Sequence, residues 1–285
     1  MMIDPDIPST RTDGPAARPA GAGLARRRFR KTALGRGHLP DHSTLKGRTA
    51  FVSGSGQNIG RGIAVRLAEA GANVVVNGSR DRDACEDTAE RVRAAGTEAL
   101  VVMGDMGSAA DVDRVAAEAL DRFGRIDILV NNAARRPHKP FLETTDADWA
   151  AVIDVALTGS FRTARAFLPG MVENGWGRIV NFAGMKAMRG YFEGAPISAG
   201  KHGVWGLTKA LSREFAGKGI TANVVSPGQI RKDGVDADDP ARTASIPAGV
   251  MGRSDDIAAV VAFLASPEAG FVTGQMIAVN GGEET

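Results

Sequence analysis

Short apolar runs alternate with longer amphipathic segments along most of the chain, beginning near Leu45. Apolar runs bounded by glycine or polar residues are typical of buried strands, whereas apolar residues three and four apart are typical of helices. The pattern predicts strands at Thr49–Ser53, Asn73–Asn77, Ala99–Met103, Ile126–Asn131, Arg178–Phe182, Ile220–Val225 and Met276–Val279. It predicts helices at Ile59–Ala70, Asp81–Ala95, Ala109–Phe123, Asp146–Asn174, Pro196–Lys218 and Ser254–Ala265. Such regular alternation favours an α/β fold.

Some predicted strands are apolar at consecutive positions, as in Val74-Val75-Val76. Strands of this kind are buried on both faces, which is typical of a parallel sheet covered by helices on two sides. We therefore predict a single doubly wound, Rossmann-type α/β domain with a seven-stranded parallel sheet flanked by helices, over residues 45–285. The sequence shows no internal repeat and no second domain boundary.

Residues 1–44 lack apolar periodicity and are rich in Pro, Gly, Ala and Arg, which predicts a basic, mostly disordered N-terminal extension. Residues 1–48 carry ten Lys and Arg against four Asp, so the basic character of a chain of net charge +2 lies here. The run Arg26–Lys31 resembles a twin-arginine export signal, but no apolar segment follows it. We interpret the run as part of a solvated tail, with a tether to nucleic acid or an anionic surface as the alternative.

Composition narrows the function classes. No apolar run is long enough to span a membrane, so we expect no membrane partner. Because the basic run is interpreted as a solvated tail, we expect no nucleic-acid partner either. The single cysteine, Cys85, excludes an internal disulfide and a cysteine-based metal site, and the four histidines show no ligand spacing. We predict no metal site and a cytoplasmic location.

A glycine-rich loop at Gly54, Gly56 and Gly60 follows the first predicted strand and leads into the first helix. Glycines allow main-chain N–H groups to approach an anion closely, and the helix points its positive N-terminal end at the same place. The loop predicts a pyrophosphate site.

Other motifs follow later strands: Asp105 after the third, Asn131-Asn132-Ala133-Ala134 after the fourth, Pro227-Gly228 after the sixth, and Lys201 between them. With these motifs the chain resembles the short-chain dehydrogenase/reductase family from about Leu45 to Gly282. The resemblance implies a small-molecule substrate and a nicotinamide nucleotide cofactor. The cofactor-binding residues that it implies are Gly54, Asn58, Ile59, Gly60, Asp105, Met106, Asn132, Ala133, Lys201, Pro227, Gly228 and Ile230.

Asn58 stands where the family usually has its middle glycine. Because Asn tolerates a left-handed backbone better than most residues, we expect the loop to keep its shape. The second predicted strand ends in Asn77-Gly78-Ser79-Arg80, without the carboxylate that would bind the ribose hydroxyls of NAD. Ser79 and Arg80 suit a 2′-phosphate, so we predict NADP(H) rather than NAD(H).

The usual catalytic side chains of the family are a tyrosine, a lysine four residues later, a serine and an asparagine. By the resemblance Lys201 is present, but the other three positions hold Ile197, Gly184 and Ala156. General acid catalysis contributes about 10²–10⁴-fold, so ordinary alcohol–ketone chemistry by the usual route is not expected.

Two interpretations stay open. In the first, the chain is a reductase with an unusual substrate, and it resembles enoyl reductases of the family that reduce an activated C=C bond. In the second, it binds cofactor without redox turnover, as an isomerase- or lyase-like enzyme or a silent partner subunit.

Two residues could replace the missing groups. Lys186 follows the fifth strand and could polarise a carbonyl oxygen, with a solvated lysine as the alternative. Tyr191, the only tyrosine, could be a displaced acid or a packing residue. The candidate catalytic residues are thus Lys201, Lys186 and Tyr191.

The substrate pocket is predicted from fewer features. Met185, Met188, Phe192 and Trp205 suggest an adaptable apolar wall, with core packing as the alternative. The polar segment from Gln229 to Ala248 is typical of a lid. Its Arg231 and Lys232 could receive an anionic substrate or face solvent. The resemblance also implies a homodimer or homotetramer formed through the helices near Asp146–Asn174 and Pro196–Lys218.

Overall fold

The computed structural model describes residues 43–184, 189–235 and 237–284. In these residues seven strands form one parallel sheet. The strands are β1 (Thr49–Val52), β2 (Asn73–Gly78), β3 (Ala99–Met103), β4 (Ile128–Asn131), β5 (Gly177–Phe182), β6 (Ile220–Pro227) and β7 (Met276–Val279). Their order across the sheet is β3-β2-β1-β4-β5-β6-β7, which confirms the predicted doubly wound fold. The N-terminal extension is predicted over residues 1–44, and residues 1–42 lie outside the described residues. The extension therefore stays a prediction.

Helices cover both faces of the sheet. They are α1 (Asn58–Glu69), α2 (Arg82–Ala94), α3 (Ala109–Phe123), α4 (Asp146–Ile153), α5 (Gly159–Glu173), α6 (Ala195–Phe215), α7 (Pro240–Thr243) and α8 (Ser254–Ala265). Within the described residues none of the helices is both long and apolar enough to cross a membrane.

The consecutive apolar residues of β2 pack on opposite faces of the sheet, because side chains alternate along a strand. Val74 and Val76 lie in a buried cluster with residues of α1, α2 and α8. Val75 lies in a second buried cluster with residues of α3 and α5. On that second face Phe51 of β1 meets Phe167 of α5 with 5.2 Å between ring centroids. Each face of the sheet is thus covered by its own hydrophobic core, and the carboxyl ends of the strands extend from between the two cores.

A chain of buried side-chain hydrogen bonds holds β4 and β5 to the helices. The Thr163 hydroxyl donates to Asn131 Oδ1 at 2.8 Å, Asn131 Nδ2 donates to Asn181 Oδ1 at 2.8 Å, and Asn181 Nδ2 donates to Thr208 Oγ1 at 2.9 Å. This series of hydrogen bonds therefore joins α5, β4, β5 and α6 and pairs the side-chain amides of both asparagines. It fixes the strand ends from which the motif Asn131–Ala134 and Gly184 emerge.

The structure corrects two of the predicted elements and adds one helix that was not predicted. The helix predicted over Asp146–Asn174 is divided by a π-helical segment, Asp154–Thr158, that contains Ala156. The strand predicted from Ile126 begins at Ile128. The carboxylate of Asp127, just before that strand, instead accepts the Thr49 N–H at 2.9 Å. The predicted lid, from Gln229 to Ala248, contains the short helix α7, whose first turn is capped by Asp239.

Candidate functional site

The glycine loop lies between β1 and α1, at the carboxyl edge of the sheet. Gly54 has a φ of 63° and Asn58 a φ of 48°, so the left-handed conformation expected of Asn58 is present. At Gly60 an added Cβ would lie 2.1 Å from the Gly54 carbonyl oxygen and 2.7 Å from Asn132 Nδ2. The loop is therefore folded so tightly that only glycine fits at position 60.

The motif after β4 braces this loop. Asn132 Nδ2 donates to the carbonyl oxygens of Ser53 and Gly54 at 3.1 and 3.0 Å. The Ser53 hydroxyl oxygen accepts the main-chain N–H groups of Asn132 and Ala133, both at 3.0 Å. Asn132, predicted as a cofactor residue, therefore also fixes the peptide groups that would face a pyrophosphate.

A cleft of about 810 Å³ opens above the carboxyl ends of β1 to β4. Its lining brings together ten of the fourteen predicted cofactor residues, namely Gly54, Asn58, Ile59, Gly60, Ser79, Arg80, Asp105, Met106, Asn132 and Ala133. Lys201, Pro227, Gly228 and Ile230 do not belong to the lining of this cleft in the described part of the chain.

At one end of the cleft Ser79 and Arg80 are exposed at the end of β2. The next residue, Asp81, also lines the cleft, and its carboxylate accepts the Ala84 N–H at 2.9 Å as the cap of α2. The carboxylate of this neighbouring acid is therefore engaged with the helix N-terminus. The arrangement leaves the guanidinium available to an anion.

Asp105 is held in place by two contacts. Its Oδ1 accepts the Gly107 N–H at 2.9 Å, and its Oδ2 accepts from the Arg135 guanidinium at 2.5 Å. Arg135 directly follows the motif Asn131–Ala134 and lines the same cleft. An ion pair thus joins the loops after β3 and β4.

Lys201 lies on α6 with 3% of its surface exposed. Its Nζ donates to the carbonyl oxygen of Phe182, at the end of β5, at 2.7 Å. Burial lowers the pKa of Lys201 to about 7, and the nearby Arg136 guanidinium acts in the same direction. Near neutral pH this amine is therefore poised to gain or release a proton.

The three positions where the resemblance implies other catalytic groups carry no polar side chain. Ile197 is buried one turn before Lys201, Ala156 is buried in the π-helical segment, and Gly184 follows β5. The Ala156 carbonyl oxygen accepts from the Ser160 hydroxyl at 2.7 Å. A π-helical segment is common at functional sites, and here it contains Ala156, the position where the resemblance implies an asparagine.

Tyr191 lies beside Gly184, the position where the resemblance implies a serine. A Cβ added to Gly184 would lie 2.3 Å from the Tyr191 hydroxyl oxygen, so this hydroxyl stands where a side chain at position 184 would begin. Burial raises the pKa of Tyr191, and the Arg136 guanidinium opposes that rise. The hydroxyl therefore stays protonated at neutral pH and can donate a hydrogen bond.

Other predicted pocket residues divide into three groups. Lys186, Met185 and Met188 lie outside the described residues. Trp205 packs against the buried residues Ala183 and Val224, as expected of a residue of the hydrophobic core. Phe192 is 84% exposed, which excludes core packing for this ring, and its place in an apolar pocket wall stays a prediction.

The lid makes a direct contact with the glycine loop. The Asn58 N–H donates to the Asp233 carboxylate at 2.7 Å, and the Asp233 N–H donates back to Asn58 Oδ1 at 3.0 Å. Within the lid Arg231 pairs with Asp238, whereas Lys232 is exposed. A lid carboxylate therefore stands at the helix end that attracts anions.

The residues predicted for the nicotinamide end have structural contacts of their own. A Cβ at Gly228 would lie 2.6 Å from Asn280 Cα, so glycine is required where β6 ends beside β7. Pro227 is in register with Val279 of β7, and Ile230 bridges to Gly252. Their part in cofactor binding stays a prediction.

Sequence reasoning missed Arg135, Arg136 and Asp233. The two arginines directly follow the Asn131–Ala134 motif. Their position could have identified them as site residues, because the residues next to a motif lie at the same strand end. Asp233 had no such signal, since it reaches the glycine loop from a position 175 residues away. Among the described residues no group of three or more His, Cys, Asp and Glu is arranged to hold a metal ion.

Residues 54–284 match a family model described as enoyl-(acyl carrier protein) reductase. The chain belongs to the short-chain dehydrogenase/reductase family. Membership of this family makes it an oxidoreductase of the short-chain type and supports a nucleotide cofactor in the cleft. The finding agrees with the resemblance that the motifs carried.

Curated relatives in the short-chain dehydrogenase/reductase family match this chain over nearly their whole length. The (2S)-((R)-hydroxy(phenyl)methyl)succinyl-CoA dehydrogenase subunit BbsD of Thauera aromatica is 40% identical over 84% of this chain and 97% of its own. The 3-oxoacyl-(acyl-carrier-protein) reductase FabG of Staphylococcus epidermidis is 38% identical over 82% and 98%. The acetoacetyl-CoA reductase of Allochromatium vinosum is 40% identical over 82% and 98%.

Solved structures give the same result. A candidate gluconate dehydrogenase from Agrobacterium tumefaciens matches with a TM-score of 0.78 and 36% identity, covering 84% of this chain and 96% of its own. A candidate short-chain alcohol dehydrogenase from Sinorhizobium meliloti matches with a TM-score of 0.79 and 33% identity, covering 84% and 97%.

Proposed function

We propose that the protein is an NADP(H)-dependent reductase that acts on an activated C=C bond or another polarised double bond. The observation that carries the proposal is the Tyr191 hydroxyl beside Gly184, 2.3 Å from where a Cβ of residue 184 would lie. Lys201 completes the pair of groups that can handle a proton and a substrate oxygen. The family model, described as an enoyl reductase, supports a C=C substrate.

The cleft suits a dinucleotide. Glycine is required at position 60 by close contacts, and the N-terminus of α1 faces the loop, so Gly54, Asn58, Ile59 and Gly60 would hold the pyrophosphate. Asp105 and Met106 would flank the adenine, while Ser79 and Arg80 would bind the 2′-phosphate. Bound NADPH would supply the hydride.

The protein itself must hold the substrate and deliver one proton. We assign the Tyr191 hydroxyl to hydrogen-bond the substrate oxygen, where negative charge develops during reduction. The Lys201 ammonium then donates a proton to the substrate, and the amine regains one from solvent. A group whose pKa lies near the working pH suits this exchange.

The relatives suggest the surroundings of that double bond. The names of FabG and the acetoacetyl-CoA reductase describe acyl thioester substrates, and BbsD is named as a CoA-thioester dehydrogenase subunit. Because these names share a thioester carbonyl, an enoyl thioester, whose C=C bond is conjugated to that carbonyl, is the substrate class to test first. We also propose a cytoplasmic homodimer or homotetramer, which sedimentation of the purified chain would check.

Replacing Arg80 with Gln tests the cofactor assignment. We expect the dissociation constant of NADPH to rise about tenfold to a hundredfold, because a charge-assisted hydrogen bond to the 2′-phosphate is lost. The dissociation constant of NADH should stay within about twofold. Fluorescence titration of both cofactors measures this, and an equal loss for NADH, or a wild type that binds NADH more tightly, would overturn the assignment.

Replacing Tyr191 with Phe tests the hydroxyl while keeping the ring. We expect kcat for an enone or enoyl thioester to fall about tenfold to a hundredfold, because one hydrogen bond to a charged oxygen is lost. NADPH affinity should not change. Phe192→Leu is a suitable control, since that neighbouring ring is 84% exposed. A Tyr191→Phe enzyme with wild-type kcat would contradict the role given to Tyr191.

A further inference from the structure

Arg136 is the feature of the site that the proposed function does not use. It lines the cleft beside Arg135 and Pro137. Two residues further on, the His138 ring lies 6.4 Å from the Tyr191 ring, between centroids. His138 Nδ1 also lies 3.1 Å from the Phe192 carbonyl oxygen. The segment that begins at Arg136 thus runs from the cleft to the loop that carries Tyr191.

The charge of Arg136 reaches both groups assigned to catalysis. The guanidinium lowers the pKa of Lys201, which burial has already lowered. It also opposes the rise that burial produces in the pKa of Tyr191. Both effects have the sign expected of a cation close to the reacting groups.

The acids that line the cleft nearby are already paired with other groups. Asp105 accepts from Arg135 at 2.5 Å, and Asp148 accepts from Lys139 at 2.6 Å and from the Thr145 N–H at 3.0 Å. By contrast, in the described ranges 43–184, 189–235 and 237–284, Arg136 forms neither an ion pair nor a side-chain hydrogen bond.

We propose that Arg136 is the anion-binding group of the substrate pocket, and that the substrate is a carboxylic acid. Its carboxylate pairs with Arg136 while its polarised double bond lies against Tyr191 and Lys201. Guanidinium matches carboxylate geometry with two parallel hydrogen bonds, which fixes orientation as well as affinity. This inference rests on the proposed function for the position of the reacting bond, and it adds the chemical class of the substrate.

A pair of probes that differ in one charge tests the inference. Monomethyl fumarate carries one carboxylate beside an activated C=C bond, and dimethyl fumarate is its neutral counterpart. Dissociation constants of both probes are measured by calorimetry on the NADP⁺-loaded full chain, where no turnover is needed. The variants are Arg136→Gln and Arg165→Gln, because Arg165 is an exposed arginine that stacks on Phe161 outside the cleft.

We expect wild-type protein to bind monomethyl fumarate about tenfold to a hundredfold more tightly than Arg136→Gln, as for the loss of a hydrogen-bonded ion pair. The dissociation constant of dimethyl fumarate should be equal for wild type and Arg136→Gln. Arg165→Gln should bind both probes with wild-type dissociation constants. Arg136→Lys should restore part of the difference.

Three results would overturn the inference. One is the absence of saturable binding of monomethyl fumarate to the wild type, and another is an equal loss for acid and ester in Arg136→Gln. The third is a weakened NADP⁺ complex in Arg136→Gln, which would assign the arginine to the cofactor. If the acid preference holds but NADPH reduces neither probe nor any other acid–ester pair, the proposed reductase fails and the carboxylate site stands. If the chain binds no NADP⁺, the same probe comparison on the cofactor-free chain still decides the site.

Discussion

Replacing Lys201 with Met is expected to lower kcat/KM for reduction by about 10²–10⁴-fold, the usual contribution of a general acid. The side chain is 3% exposed, and its Nζ reaches only a main-chain carbonyl oxygen in the described structure, that of Phe182. Met has a similar length and no proton to deliver. Lys209→Met, on the same helix α6 but exposed above the Trp205 ring, is the matched control and should keep wild-type activity.

The pH dependence of the same variant separates a proton donor from a structural lysine. Burial lowers the pKa of Lys201 to about 7, so the ammonium form should disappear above that pH and wild-type reduction should slow. The folded chain should also gain stability as pH rises from about 7 to 10.5, because only the unfolded chain then keeps the proton. Lys201→Met should lose both dependences. Retained turnover with an unchanged pH profile would show that Lys201 donates no proton.

Replacing Gly60 with Ala is expected to weaken cofactor binding by about a hundredfold or more. The new methyl group would lie 2.1 Å from the Gly54 carbonyl oxygen and 2.8 Å from Ser55 Cα, and neither main-chain atom can move without opening the loop. Two misplaced N–H groups would weaken binding of the anion by about a hundredfold or more. The free energy of unfolding should fall by about 3 kcal/mol, as for overpacking of a close contact.

Gly206→Ala is the control for the change in residue type. Gly206 is an exposed residue of α6, and no described atom lies within 4 Å of an added Cβ. This substitution should leave NADPH affinity unchanged and raise the free energy of unfolding by about 0.5–1 kcal/mol, because alanine favours a helix interior. Titration with NADPH and urea denaturation measure both quantities. Wild-type cofactor affinity in Gly60→Ala would show that the loop does not hold the cofactor.

Most of the fold could be predicted from the sequence because burial repeats with a fixed period. Val74-Val75-Val76 indicated a strand covered on both faces, and both cores contain residues of that run. The π-helical segment at Asp154–Thr158 could not be predicted, because a one-residue offset changes the apolar spacing very little. The short helix α7 could not be predicted either, because its four residues are too few to show a helical period of apolar residues.

The cofactor half of the site was more predictable than the catalytic half. Gly54, Asn58 and Gly60 form a local loop whose residue types follow from backbone conformation. The position of the Tyr191 hydroxyl beside Gly184 depends on how a loop folds back on β5, and no sequence spacing determines that contact. The same holds for Asp233, which meets the glycine loop only through tertiary folding.

Transfer of deuterium from NADPH labelled at the reactive C4 position tests the central proposal most directly. Purified chain is incubated with the labelled cofactor and a panel of enones, enoyl thioesters and acid–ester pairs. Mass spectrometry then measures the deuterium content of each product. We expect a product with one carbon-bound deuterium from at least one activated double bond, and we expect Lys201→Met to form it about 10²–10⁴-fold more slowly. Tight binding of NADPH without deuterium transfer to any member of the panel would contradict the central proposal and favour a non-redox role for the bound cofactor.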